Sequence, residues 1–262
     1  MSGISNMMNL NASVKSRGVV LFAFNTDTVD YELIANRASK LITHTLNLPV
    51  TIISEMMGTQ TNTRLGYAHG TQWFNGDRYR AYELSPYDET LLLDSDYLVL
   101  DDALLKILDT TADYNIMTDN QNFNQAMIGT MGEMSLNYVW ATAIAFKKTP
   151  KSKMLFDLVG RVQNNYRYYC KLYNIRSSNF RNDYAFAIAD NIINGYTASL
   201  GIPWTMLTVD KTVKALEIKN NNIIVREDDG AHIIPKQNIH IIDKLYLQSD
   251  SYEEFIEQVC KN

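Results

Sequence analysis

A wholly apolar run of six residues, Val19 to Phe24, leads into Asn25-Thr26-Asp27-Thr28, a cluster of short polar side chains suited to capping a helix. Leu33, Ile34, Ala38, Leu41, Ile42 and Leu46 then recur at three- and four-residue spacing until Asn47-Leu48-Pro49 stops the pattern, and Val50 to Ser54 reads as a second buried strand. A strand, a helix and a strand in this order normally build a parallel sheet with its helices on the faces. The opening of the chain therefore points to the α/β class. With 46% apolar residues in 262, the chain can bury a sizeable core, which excludes a disordered or fibrous protein.

Later segments extend the same pattern. Glu55 to Arg80 is polar and without a steady period, and reads as a long loop. Leu91-Leu92-Leu93 is a short buried strand, Asp101 caps a helix running through Asp109, and Tyr114 to Met117 and Tyr138 to Phe146 are further strands. Thr149-Pro150 starts a long helix expected to run toward Tyr169, with Met154, Leu155, Leu158, Val159 and Val162 on its inner face. Asn182-Asp183 opens another helix that Asn194-Gly195 closes. After Pro203, three segments (Thr205 to Val209, Val213 to Ile218 and Ile223 to Arg226) predict a small antiparallel meander. Residues 1–17 read as a mobile polar tail and residues 18–262 as one domain. No apolar stretch approaches the roughly 20 residues a spanning helix needs, and Cys170 and Cys260 are too far apart to form a metal knuckle or redox pair. A cytoplasmic location is expected.

The sharpest chemical feature is Asp94-Ser95-Asp96, directly after the three leucines. Side-chain direction alternates along an extended chain, so the two carboxylates can project to one side and reach one hard cation, Mn2+ or Mg2+. Ligands of open α/β sheets bind at this carboxyl end of the strands. The alternative is a solvated strand end. His240, in an apolar segment near the C-terminus, is either a packed residue or a ligand. Asp183 stands at a helix start, where an acid is favoured by capping and the helix dipole alone.

Taken in order, these pieces resemble the GT-A fold of nucleotide-sugar-dependent glycosyltransferases, above all the glycogenin-like and bacterial galactosyltransferase-like retaining enzymes. Phe22-Ala23-Phe24-Asn25-Thr26-Asp27-Thr28-Val29-Asp30-Tyr31, Tyr82 to Thr90 running into the triplet, and Arg181 to Phe186 resemble a group of glycosyltransferases encoded by tailed phages. The resemblance spans roughly residues 18 to 245. It implies a single Rossmann-type domain with a mostly parallel central sheet flanked by helices and a small antiparallel C-terminal part. It implies Asp94, Asp96 and His240 as metal ligands, and Phe24, Asn25, Thr26 and Tyr31 around the nucleoside of a nucleotide-sugar donor. Ser95 and a cation, Arg80, Lys236 or Lys244, would stand beside the diphosphate, and Asp183 near the sugar and acceptor. Two departures are visible: Asp183 is followed by Tyr184 instead of an amide, and the family's C-terminal Gly-X-X-Lys-Pro-Trp phrase is missing. A haloacid-dehalogenase-like phosphatase also uses Asp-X-Asp, but Leu98 stands where that family has Thr or Val, and a strand–helix–strand unit precedes the triplet. A non-catalytic binding module is the third reading.

The total of 24 basic against 29 acidic residues is ordinary, but between Met134 and Asn182 nine cations face the single acid Asp157. Arg161, Arg167, Lys171, Arg176 and Arg181 are interleaved with Tyr166, Tyr168, Tyr169, Tyr173 and Phe180. Cations for phosphates and rings for bases are the ingredients of nucleic-acid binding. Together with the phage resemblance they raise DNA with hydroxymethylated pyrimidines as the acceptor, against polysaccharide, lipopolysaccharide or protein. A solvated basic helix with packed tyrosines is the bland alternative. The oligomeric state is not encoded in any visible motif.

Overall fold

The computed structural model describes residues 15–55, 76–123, 127, 129–133, 136–176, 180–197, 199 and 201–261. The chain runs β1 (Arg17–Phe22), α1 (Tyr31–Leu46), β2 (Val50–Ile53), a 3-10 turn (Arg78–Arg80), α2 (Ala81–Leu84), β3 (Glu89–Leu93), β4 (Tyr97–Leu98), α3 (Ala103–Leu108), β5 (Tyr114–Met117) and β6 (Asn120–Gln121). It continues through β7 (Thr130–Met131), β8 (Leu136–Asn137), β9 (Trp140–Lys147), α4 (Pro150–Asn164), α5 (Tyr166–Leu172), α6 (Asn182–Ile193) and β10 (Met206–Val209). The last elements are β11 (Val213–Lys219), β12 (Asn222–Glu227), β13 (Gly230–Pro235), β14 (Ile239–Ile241), α7 (Lys244–Gln248) and α8 (Asp250–Lys261).

Five strands form the central sheet in the order β2-β1-β3-β9-β5. β1 pairs in parallel with β2 and β3, while β9 runs antiparallel to both β3 and β5, so four of the five strands share one direction. Val20, Leu92, Ile144 and Ile116 stand in one row across it. Each is at most 1% exposed, as strands covered on both faces require. This is the mixed α/β architecture expected, with a mostly parallel sheet and flanking helices. A second sheet, β4-β14-β10-β6, joins on where β3 ends. β11-β12-β13 is the antiparallel meander.

Several expectations are corrected. Thr205 to Val209 does not belong to the meander: β10 lies parallel to β14 and β6 in the second sheet. The long helix breaks at Asn165, which separates α4 from α5. Leu155, Val159 and Val162 of α4 are fully buried, but Met154 is 57% exposed, because a residue adjacent to Leu155 points about 100° away on a helix. Arg17, expected in the tail, is the first residue of β1, its Nε donating to Glu89 at 2.8 Å. Residues 1–14 and most of the Glu55 to Arg80 loop lie outside the described residues. Among the described residues no helix is long and apolar enough to cross a membrane.

Candidate metal and donor site

Asp94 follows the last residue of β3, at the carboxyl edge of the central sheet, where its N–H donates to Thr142 O at 2.9 Å. Two residues later the chain enters β4, which pairs with β14 so that His240 stands opposite Tyr97. Ile241 N donates to Asp96 O at 3.0 Å. The triplet is therefore the junction of two sheets, and that junction carries His240 to the acids from the far end of the sequence. One ligand atom from each of Asp94, Asp96 and His240 lies within 4.8 Å of the others.

Each group in the cluster is electrostatically shaped by the rest. Asp96 has an 11% exposed side chain, with His240 Nε2 at 3.3 Å from Oδ2 and the Lys244 ammonium bonded to the same oxygen. Burial alone would raise the Asp96 carboxyl, but the charges and hydrogen bonds of His240 and Lys244 outweigh it and hold the group well below its ordinary value. Burial lowers His240 and Lys244 in turn, and Asp96 reverses both, so each is net raised. Asp94 is raised: burial dominates, Arg78 opposes it, and Asp96 and Asp183 add to it. Asp96 Oδ1 is buried without a hydrogen-bond partner. An orphaned carboxylate oxygen beside a second acid and an imidazole fits a hard divalent ion.

A second tier of residues orients the first. Thr208 Oγ1 donates to Asn120 Oδ1 at 2.8 Å and lies 3.2 Å from His240 Nδ1. Its single proton is committed to Asn120, so its lone pair receives the Nδ1 hydrogen and Nε2 is turned toward Asp96. Arg78, 3% exposed, donates to Asp94 and to Ala141 O. Ala141 N in turn donates to Asp183 Oδ1 at 2.9 Å, so one residue of β9 links Arg78 to Asp183. Asp183 does not cap its own helix. Its other oxygen takes Arg181 Nη2 at 2.7 Å, and burial together with Asp183 pushes the nearby Tyr138 hydroxyl up.

The remaining expected residues divide. Burial raises the Tyr31 hydroxyl, and Lys244, Asp96 and Asp94 also act on it, which places Tyr31 at the cluster. Asn25 Oδ1 accepts from Glu32 N at 2.9 Å and Thr26 Oγ1 accepts from Val29 N at 3.0 Å, so both oxygens hold the β1–α1 turn in shape. Phe24 is 4% exposed and edge-on to Phe22, so its ring is part of the core. Ser95 is buried within the triplet. Arg78 is the cation that meets Asp94, and Arg80, expected beside the diphosphate, acts on Asp77. Alternation in Arg78-Tyr79-Arg80 carried no signal to separate the two. Thr208 and Asn120 were equally invisible, since they join the site only through the second sheet. Of the basic segment, Arg161, Arg167 and Lys171 are exposed, Arg176 lies 3.7 Å from Glu133, and Arg181 is engaged with Asp183. Tyr166 and Tyr173 are core residues at 2% and 4% exposure, leaving Tyr168 as an open ring at 62%.

No family model matches the chain, and no curated protein matches it in sequence. Among solved structures, the chain is similar to the apo form of the glycosyltransferase GlyE of Streptococcus pneumoniae, with 16% identity over 68% of this chain and a TM-score of 0.38. It is similar to mouse xyloside xylosyltransferase 1, with 10% identity, 69% of this chain, 83% of that chain and a TM-score of 0.42. A third is a glycosyltransferase involved in the glycosylation of the major capsid of PBCV-1, at 9% identity, 72% of this chain, 81% of that chain and a TM-score of 0.36. The match spans 43% of the pneumococcal chain.

Proposed function

We propose that this chain is a metal-dependent glycosyltransferase that uses a nucleotide-sugar donor. The observation that carries the reading is the cluster of Asp94, Asp96 and His240 at the carboxyl edge of the sheet, with a buried oxygen of Asp96 left unpartnered. Asp94, Asp96 and His240 would hold Mn2+ or Mg2+, which supplies charge neutralisation for a departing diphosphate. Tyr31, close to Lys244 and the acids, would line the nucleoside, and Lys244 would provide a cation for the diphosphate. The bond from the sugar's anomeric carbon to the diphosphate oxygen breaks, its electron pair leaves with the diphosphate, and an acceptor hydroxyl forms the new bond as it loses its proton. The sugar becomes oxocarbenium-like in between. Asp183, aimed by Ala141 N and Arg181, would stand against that sugar. The GT-A resemblance favours retention of configuration.

For the acceptor, the exposed cations Arg161, Arg167 and Lys171 with Tyr168 support duplex DNA of phage type, in which a hydroxymethylated base is reached in the major groove or after extrusion. A polysaccharide, lipopolysaccharide or protein hydroxyl is the other reading. Binding to duplex DNA that weakens steeply with salt supports the first, and absence of binding at low salt eliminates it.

The test of the donor reading is a panel of nucleotide sugars with and without Mn2+. One donor raises the melting temperature only with metal and releases nucleoside diphosphate on turnover, and Asp96→Asn loses both. Phosphate release from generic esters would instead make the chain a phosphatase, and donor binding without turnover a binding module.

A further inference from the structure

Each acid of the cluster has a basic side chain of its own. Asp94 has Arg78, Asp96 has Lys244 and Asp183 has Arg181. Lys244 and His240 share Oδ2 of Asp96, while Oδ1 has no partner. A divalent ion entering here brings two positive charges against an ammonium already bonded to one of its own ligands. Like charges that close, in a region this buried, are not screened by solvent. The ion and the ammonium therefore compete for Asp96, each weakening the other's hold on the carboxylate.

We infer that Lys244 is a built-in competitor for the metal: it neutralises Asp96 when no ion is bound and gives up that carboxylate when one arrives. The inference rests on the metal-site reading given above. The backbone around Lys244 is anchored, while its ammonium has acceptors besides Asp96. Asp243 Oδ1 accepts from Leu245 N and Tyr246 N, and Gln248 Nε2 donates to Lys244 O at 3.0 Å, so α7 keeps its place. The side chain is 20% exposed, and its ammonium also donates to Ile242 O at 3.1 Å, a carbonyl that can keep it once Asp96 is given up. Release from Asp96 leaves the cation near Tyr31, available to an anionic group that enters with the metal. The metal alone thus binds against an internal opponent, and the exchange couples metal affinity to whatever receives Lys244.

The test measures Mn2+ binding, by the free-ion electron paramagnetic resonance signal, in wild type, Lys244→Met, Lys244→Arg and Asp96→Asn without nucleotide. Lys244→Met is expected to bind Mn2+ at least about fivefold more tightly than wild type, the lower end of typical coupling between sites. Lys244→Arg should stay close to wild type and Asp96→Asn should bind none. Equal affinities for wild type and Lys244→Met would overturn the exchange, whereas no Mn2+ bound by either would overturn the metal site itself. Acetylation of Lys244 in the wild-type protein, referenced to the exposed Lys106, gives an independent readout. It should rise when Mn2+ saturates the site, and an unchanged rate under saturation refutes displacement even if Lys244→Met does not fold.

Discussion

Replacing Arg78 by Met keeps most of the volume of a 3% exposed side chain but removes the donors to Asp94 and to Ala141 O. Breaking a buried ion pair from one side costs about 3–5 kcal/mol, because the remaining charge is stranded. The Asp94 side chain is 28% exposed, so the lower figure, about 3 kcal/mol, applies at neutral pH. At a size of 262 residues that corresponds to a fall in melting temperature of roughly 6–9 °C. The sign of the pH dependence follows from Asp94, whose carboxyl burial already raises. Without Arg78 it rises further, and an acid raised above its unfolded value costs stability at pH values above that raised value and stops costing it once protonated. The deficit of Arg78→Met should therefore shrink from neutral to acid pH, and Arg78→Met/Asp94→Asn should recover part of it at neutral pH. Thermal unfolding of both single variants and the double variant at neutral and acid pH forms a complete cycle. Additive losses in the double variant, or a deficit independent of pH, would show that Arg78 does not stabilise through Asp94.

Three further outcomes are expected. Thr208→Val removes the group that turns His240 and should weaken Mn2+ binding by about 10- to 100-fold, and an unchanged affinity would mean that the imidazole is oriented by something else. Glu253 accepts from Lys40 and Arg37, and these bonds hold its carboxyl below its ordinary value of 4.5. Its stabilising contribution is complete above that value and lost as pH falls through the lowered one. Glu253→Gln should therefore be about 2 kcal/mol less stable than wild type in denaturant at pH 7. That gap should close in acid, and a gap equally wide at pH 3 contradicts the assignment. A Cβ at Gly160 would stand 2.7 Å from Tyr79 Cδ2. Gly160→Ala should cost about 1–3 kcal/mol by overpacking α4 against the 3-10 turn, while a stability equal to wild type in chemical unfolding would mean that Tyr79 moves freely aside.

Local pattern carried much of the architecture. The apolar run of β1, the 3.6-residue period of α1 and the cap at Thr149-Pro150 are statements about neighbours in the chain, and backbone sterics and burial act on neighbours directly. The Asp94 and Asp96 pair was visible for the same reason. What no window along the chain contains is which distant segment meets which. Thr205 to Val209 reads as one more short strand, yet its partners are β14 and β6. Arg78 and Arg80 differ only in which way a 3-10 turn aims them, and Tyr166 and Tyr173 look no different from Tyr168 until α5 is packed. The junction of the two sheets at Asp94-Ser95-Asp96 sets His240, Thr208 and Lys244 around the acids. Its pairing is chosen by summed burial and hydrogen bonding over both sheets, a sum no single segment expresses.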